Sequence, residues 1–135
     1  MNSKTLACVV SAPKEKVFRY LSNIENLPKW ATEFCHELKV VDGKYKVLTC
    51  PAAGNMEVFF RIQADEKTGV IDMLAGPTED QMAVFPTRVV ELPGGSSAFI
   101  FTMFQPPGLP DEQFQAQYES LKKEFENLER EFGQK

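Results

Sequence analysis

The sequence predicts an α+β fold in which a curved antiparallel sheet of seven strands grips one long C-terminal helix. Three observations carry this. Between residues 35 and 104 apolar side chains recur with a period of two, in segments parted by Asp42-Gly43, Gly94-Gly95 and other turn signals. From Phe114 to Phe132 the period becomes helical. Ahead of the sheet, SAPKEKVFRYLSNIENLPKW holds two prolines and Ser/Asn turn positions, which leave room only for short helices.

In chain order, residues 4–11 (KTLACVVS) form a first strand. Pro13 suits the first turn of a helix, with Glu15 favourably placed near its N-terminus, and Val17, Phe18 and Leu21 give it one apolar stripe. Ser22-Asn23 stops that helix. Pro28 opens a second, with Leu27, Trp30, Ala31 and Phe34 as its buried side. In CHELKVVDGKYKVLTC the Asp-Gly pair signals a two-residue hairpin. That turn pairs Val40 with Tyr45, Leu38 with Val47 and His36 with Thr49 on one face, leaving Glu37, Lys39, Lys44 and Lys46 on the other.

Met56, Val58, Phe60 and Ile62 alternate with Glu57, Arg61 and Gln63 in the next strand. DEKTG turns it into VIDMLA. After PTED, MAVFPTRVVEL reads as one strand, joined through Gly94-Gly95 to SAFIFTMF. QPPGLP cannot be helical. Pro110, Asp111 and Glu112 then open a helix whose seam is Phe114, Tyr118, Leu121, Phe125, Leu128 and Phe132. Six consecutive strands with one apolar face must curl and cover it. The long helix lies on the concave side, and the two short helices carry the chain to the far edge of the sheet while plugging one end. This arrangement is a helix-grip.

The 135 residues make one domain, spanning 1–135, with enough chain for a sizeable core. Eleven Phe against one Trp and three Tyr is a heavy load for a small core; either the core is unusually aromatic or part of that surface faces a ligand. A net charge of -4 with no Lys/Arg cluster argues against nucleic acid. The longest mostly apolar run, AFIFTMF, is too short to span a bilayer. MNSKTLACVVSAP does not read as a signal peptide. Three cysteines without a CxxC spacing fit a reduced, cytoplasmic protein. A single histidine excludes a His-rich zinc site, and neither metal nor cofactor is expected.

SAPKEKVFRYLSNIENLPKW, DGKYKV, FPTRVVELPGGSSAFIFTMFQPPGLPDEQF and the final amphipathic helix together resemble the START-like, or SRPBCC, superfamily. The first piece is similar to the entry motif of its polyketide cyclase/dehydrase-like branch. The resemblance covers nearly the whole chain. It implies an apolar cavity between sheet and long helix, usually for a hydrophobic small molecule; one fold hosts many activities, so it implies no particular chemistry. With such a cavity, Trp30, Phe34, Phe60, Phe101, Phe114 and Tyr118 are the candidate lining.

Three polar sites compete with bland alternatives. His36 is either a general base at the cavity mouth or a strand-end histidine bonded to backbone. A five-residue loop from Pro77 to Gln81 puts Val70, Asp72, Leu74, Val84 and Arg88 on one face, and the Gly94-Gly95 turn sets Arg88 opposite Phe101. Arg88 then faces inward and needs Asp72 or an anionic ligand. A Glu66-Lys67 turn instead pairs Asp72 with Arg61 on the outer face, as a surface ion pair. Both registers stand. Cys35 and Cys50 fall opposite each other, as free thiols or a redox pair, and Cys8 reads as core.

The function expected is binding of a hydrophobic or amphipathic small molecule by a monomer or weak homodimer. One alternative is a cyclase/dehydratase-type enzyme drawing its acid or base from His36, Asp72, Glu33 or Tyr118. The other is a protein-interaction module, for which Phe59 and Phe85 are the outward-facing candidates.

Overall fold

A computed structural model describes residues 1–133. The order is β1 (Ser3–Val10), α1 (Lys14–Ser22), a 3-10 turn (Ile24–Asn26), α2 (Leu27–Trp30), β2 (Cys35–Val41), β3 (Lys44–Thr49), a second 3-10 turn (Pro51–Ala53), β4 (Glu57–Asp65), β5 (Val70–Thr78), β6 (Gln81–Phe85), β7 (Thr87–Leu92), β8 (Ser96–Phe104) and α3 (Asp111–Phe132). One antiparallel sheet runs β1-β8-β7-β5-β4-β3-β2, with β6 pairing to β5 beside that path. The strands β1 and β2 are neighbours in sequence but lie at opposite edges. The segment holding α1 and α2 makes that crossing. This is the α+β helix-grip architecture.

The sheet has eight strands rather than the expected seven, because MAVFPTRVVEL breaks at Pro86. Proline has no N–H to give the ladder, so the run divides there. Before it, β6 pairs with β5 through Met73–Phe85 and Leu74–Val84. After it, β7 turns to β8 and keeps a single β5 pairing, Val70 with Arg88. The second helix is also shorter than expected, ending at Trp30, so Phe34 lies beyond it in a turn.

Three turns set which side chains face inward. Asp42 and Gly43 both have positive φ (52° and 77°), the backbone a two-residue hairpin demands, and Val40–Tyr45 and Leu38–Val47 pair as expected. The expected His36–Thr49 pairing fails, because a bulge between Cys35 and Glu37 sets Cys35 opposite Thr49. The β4–β5 loop is four residues long, and Gln63 rather than Arg61 lies opposite Asp72. Gly69 closes it at φ +82°, where a Cβ would stand 2.2 Å from the Val89 carbonyl oxygen. The β7–β8 turn takes in Pro93 as well as both glycines, so Leu92 pairs with Ser96 and Arg88 with Ile100.

The core lies between the inner sheet face and α3. Phe99 is 1% exposed, with its ring 5.4 Å from Phe125 and 6.0 Å from Trp30 between centroids. Aromatic pairs at such spacing add to what area burial supplies. Along α3 the buried side is Phe114, Leu121, Phe125, Leu128 and Phe132. Gly133 closes the helix: its N–H donates to Glu129 at 2.8 Å, and its carbonyl accepts from the Ser11 N–H at 2.7 Å. The helix end is thereby fixed to the loop leaving β1.

Candidate functional site

Packing between α3 and the sheet is not complete along the whole helix. Where Gln117 and Ser120 stand beside Leu121 of the seam, a cavity of about 450 Å³ remains. That volume falls within the range of small-molecule sites. Phe60 of β4, Met73 of β5 and Phe101 of β8 form its sheet wall, and Trp30 and Phe34 close the end nearest α2. Met56, Pro77, Pro106 and Gln117 line it too but are exposed, so they mark its mouth. Thr49 is buried in the wall, with its hydroxyl occupied by the Met56 N–H at 2.7 Å and the Ala53 carbonyl at 3.3 Å.

Glu124 is the unexpected member of this lining. It is 5% exposed. Its Oε2 accepts hydrogen bonds from the backbone N–H of Glu33 (3.2 Å) and of Phe34 (3.1 Å), in the turn between α2 and β2. One turn on, the Asn127 amide donates to the Trp30 carbonyl and to Thr32 Oγ1, both at 2.9 Å. These bonds pin α3 to the turn that closes the cavity. Oε1 of Glu124 has no hydrogen-bond partner among the described residues. Burial pushes the carboxyl up to about 7, against the pull of the two N–H donors, and the nearby Glu33 carboxylate adds to the rise.

The signal for Glu124 lies in the spacing. Gln117, Ser120 and Glu124 follow one another at helical intervals along one flank of the apolar seam, beside Leu121. A seam drawn only through large apolar residues passes beside them.

Trp30, Phe34, Phe60 and Phe101 all line the cavity. Phe114 is buried in the core but outside the cavity wall. Tyr118 is turned away from it, between the ammonium groups of Lys4 and Lys122, each 4.8 Å from the ring centroid. His36 is exposed, because the bulge that unpairs it rotates it off the apolar face. Of the two outward Phe candidates, Phe85 faces inward, 5.8 Å from Phe101, and Phe59 is half-buried beneath Lys46.

Asp72 and Arg88 do share a face, but it is the outer one. Their strand neighbours Ile71, Met73, Thr87 and Val89 are the buried residues, and Arg88 Nε donates to the Thr68 carbonyl at 3.1 Å. Among the described residues neither takes part in an ion pair. The buried Asp72–Arg88 pair is therefore not formed. Asp72→Asn should change stability by only a few tenths of a kcal/mol, with near-zero coupling to Arg88→Met in a double-mutant cycle. A coupling above about 1 kcal/mol in denaturant unfolding would contradict the outward placement.

Cys8, Cys35 and Cys50 are all free thiols. Burial is the main cause that pushes Cys8 up to about 12 and Cys35 up to about 11, so neither supplies a thiolate near neutrality. Cys50 donates to the Thr32 carbonyl at 3.4 Å instead of facing Cys35 across the ladder.

No protein-family profile matches the chain, and no curated protein does. Solved structures do match it. The protein XoxI from Bacillus cereus superposes with a TM-score of 0.76 at 14% identity, over 98% of this chain and 96% of that one. A START superfamily protein from Mycobacterium smegmatis gives 0.72 at 14% identity, over 96% of each chain. The Zhui aromatase/cyclase from a Streptomyces species gives 0.68 at 12% identity, over 93% of this chain and 87% of that one. The chain has the START-like fold. At these identities the START-like likeness concerns backbone architecture. Among the described residues no helix is long and apolar enough to cross a membrane.

Proposed function

We propose that the protein binds one hydrophobic or amphipathic small molecule, lipid- or polyketide-like, in the cavity between the sheet and α3. The observation that carries this reading is the cavity of about 450 Å³ itself, walled by Trp30, Phe34, Phe60 and Phe101 and left open where Gln117 and Ser120 of α3 stand beside Leu121. A mostly apolar pocket with a few convergent polar groups is what a small-molecule site needs. In this reading one domain acts as a monomer or weak homodimer in the cytoplasm, and its three free thiols suit that reducing compartment.

An environment-sensitive apolar dye should bind with about one-to-one stoichiometry and be displaced by hydrophobic competitors. Trp30→Phe should alter its affinity or emission without unfolding the protein. A folded protein that takes up no dye at high micromolar concentration would make the pocket an occluded fault in the core. Where dye does bind, mass spectrometry of molecules that co-purify under native conditions would name the ligand.

A second reading, an acid–base enzyme of the cyclase/dehydratase kind, has one observation in its favour: a buried carboxyl in the cavity whose pKa of about 7 suits proton transfer near neutrality. It requires a bound molecule to change covalently, with a loss or rearrangement that Glu124→Gln abolishes while binding persists.

A further inference from the structure

We propose that the cavity selects hydrophobic molecules bearing a cationic amine, and that Glu124 holds the amine. The proposal rests on the binding reading above and specifies its chemistry. Glu124 is 5% exposed, lines the cavity and has only one oxygen engaged by the protein. The remaining oxygen is not sealed inside the packing, because no fully buried side-chain oxygen among the described residues lacks a partner. The cavity that Glu124 lines is walled mostly by apolar side chains. An ionised carboxylate in such a place needs a cation, and among the described residues none pairs with Glu124.

The charge of the lining argues in the same direction. Among the described residues, the only ionisable side chains lining the cavity are Glu33 and Glu124, both acidic. Lys123 reaches Glu33 at 3.9 Å but is mostly exposed, so it partly balances Glu33 from outside and leaves Glu124 unpaired. The other groups near Glu124 are the Cys35 thiol of β2 and the Cys50 thiol after β3, both with raised pKa values and neutral near pH 7. The β5 and β8 walls present Met73, Ala75, Phe101 and Met103, none of which titrates.

Three head groups can be weighed against this lining. A carboxylate would add a third negative charge to a poorly solvated space. An alcohol would bond Oε1 but leave the charge uncompensated. An ammonium both neutralises Glu124 and donates to Oε1, a charge-assisted bond stronger than a neutral one. The rings of Trp30, Phe34, Phe60 and Phe101 pack the apolar body.

The test uses naphthylmethylamine, naphthylmethanol and naphthoate, which share an apolar body and differ in head group, titrated calorimetrically into the full chain. At about pH 8 the amine should bind at least about tenfold tighter than the alcohol, with naphthoate weakest. Amine affinity should climb as pH rises through the titration of Glu124 near 7, while alcohol affinity stays flat. Glu124→Gln keeps an oxygen for the two N–H donors and should remove the amine's advantage while sparing alcohol binding. Equal binding of amine and alcohol, or a preference that survives in Glu124→Gln, would overturn the amine assignment and leave the cavity reading intact. Binding of none of the three would remove both. Should the variant fail to fold, the pH profile of the unaltered protein decides, and a flat amine profile counts against the proposal.

Discussion

Phe125→Ala should cost about 3–5 kcal/mol in denaturant unfolding, a large part of what holds a small domain folded. The side chain is 3% exposed and sits where α3 meets the sheet, with its ring centroid 5.4 Å from Phe99 and 6.3 Å from Phe101. Truncation loses the burial of the ring and leaves a void that its neighbours can fill only in part. Phe99 cannot shift toward the gap without giving up its edge contact with Trp30, 6.0 Å away between centroids. Phe101 lines the cavity between the sheet and α3, so the new void would adjoin it. The variant should therefore bind apolar dye with altered affinity even where enough folded protein survives. A destabilisation below about 1 kcal/mol would show that the inner face of α3 is not packed as described.

The parts of the fold readable from sequence are those fixed by local pattern. The Asp42-Gly43 turn, the strand periodicity and the α3 seam each carry their own signal, and the structure realises all three. Where the sequence reading parts from the structure, a turn gained residues, a strand lost a donor or a bulge broke the alternation. Taking Pro93 into the β7–β8 turn moves the pairing by one residue, so Arg88 lies opposite Ile100 instead of Phe101. A slip of one reverses every side chain of the strand, which is why Arg88 faces out. The β4–β5 loop differs from the two-residue turn by two residues on its pairing. Asp72 therefore stays on the outer face and only its neighbour changes, from Arg61 to Gln63.

The candidate site was legible in its apolar half. Trp30, Phe34, Phe60 and Phe101 reach the cavity because strand alternation and the entry helices put them there. Its polar half was hidden for a physical reason. A glutamate among the Lys, Gln and Glu of an amphipathic helix looks solvated, and only the tertiary approach of the Glu33–Phe34 turn buries Glu124. His36 was misplaced by the converse effect, since a bulge leaves no mark in the alternation of residue types.

Glu124 should also make stability fall as pH rises from about 4.5 to beyond 7. In the unfolded chain its carboxyl has the ordinary value of 4.5, whereas burial raises it to about 7 in the folded protein. Below 4.5 both states are protonated and the group contributes no slope. Between the two values the folded state holds a proton that the unfolded state has released, so the stability of the fold declines with pH. Above about 7 both states are ionised and the loss levels off, at about 3 kcal/mol. Glu33 nearby adds to the raised value, while Glu57, lowered chiefly by its hydrogen bond to Lys39, works in the opposite direction at the acid end of the range. Glu124→Gln removes the titration but keeps an acceptor for the Glu33 and Phe34 N–H groups. It should match the unaltered protein near pH 4 and exceed it in stability near pH 8, a reversal of the usual result for a buried substitution. An amine seated on Oε1 should abolish the difference, because it favours the ionised form that the empty cavity penalises. Parallel stability curves for the two proteins across this range would mean that the Glu124 carboxyl is solvated and titrates as an ordinary glutamate.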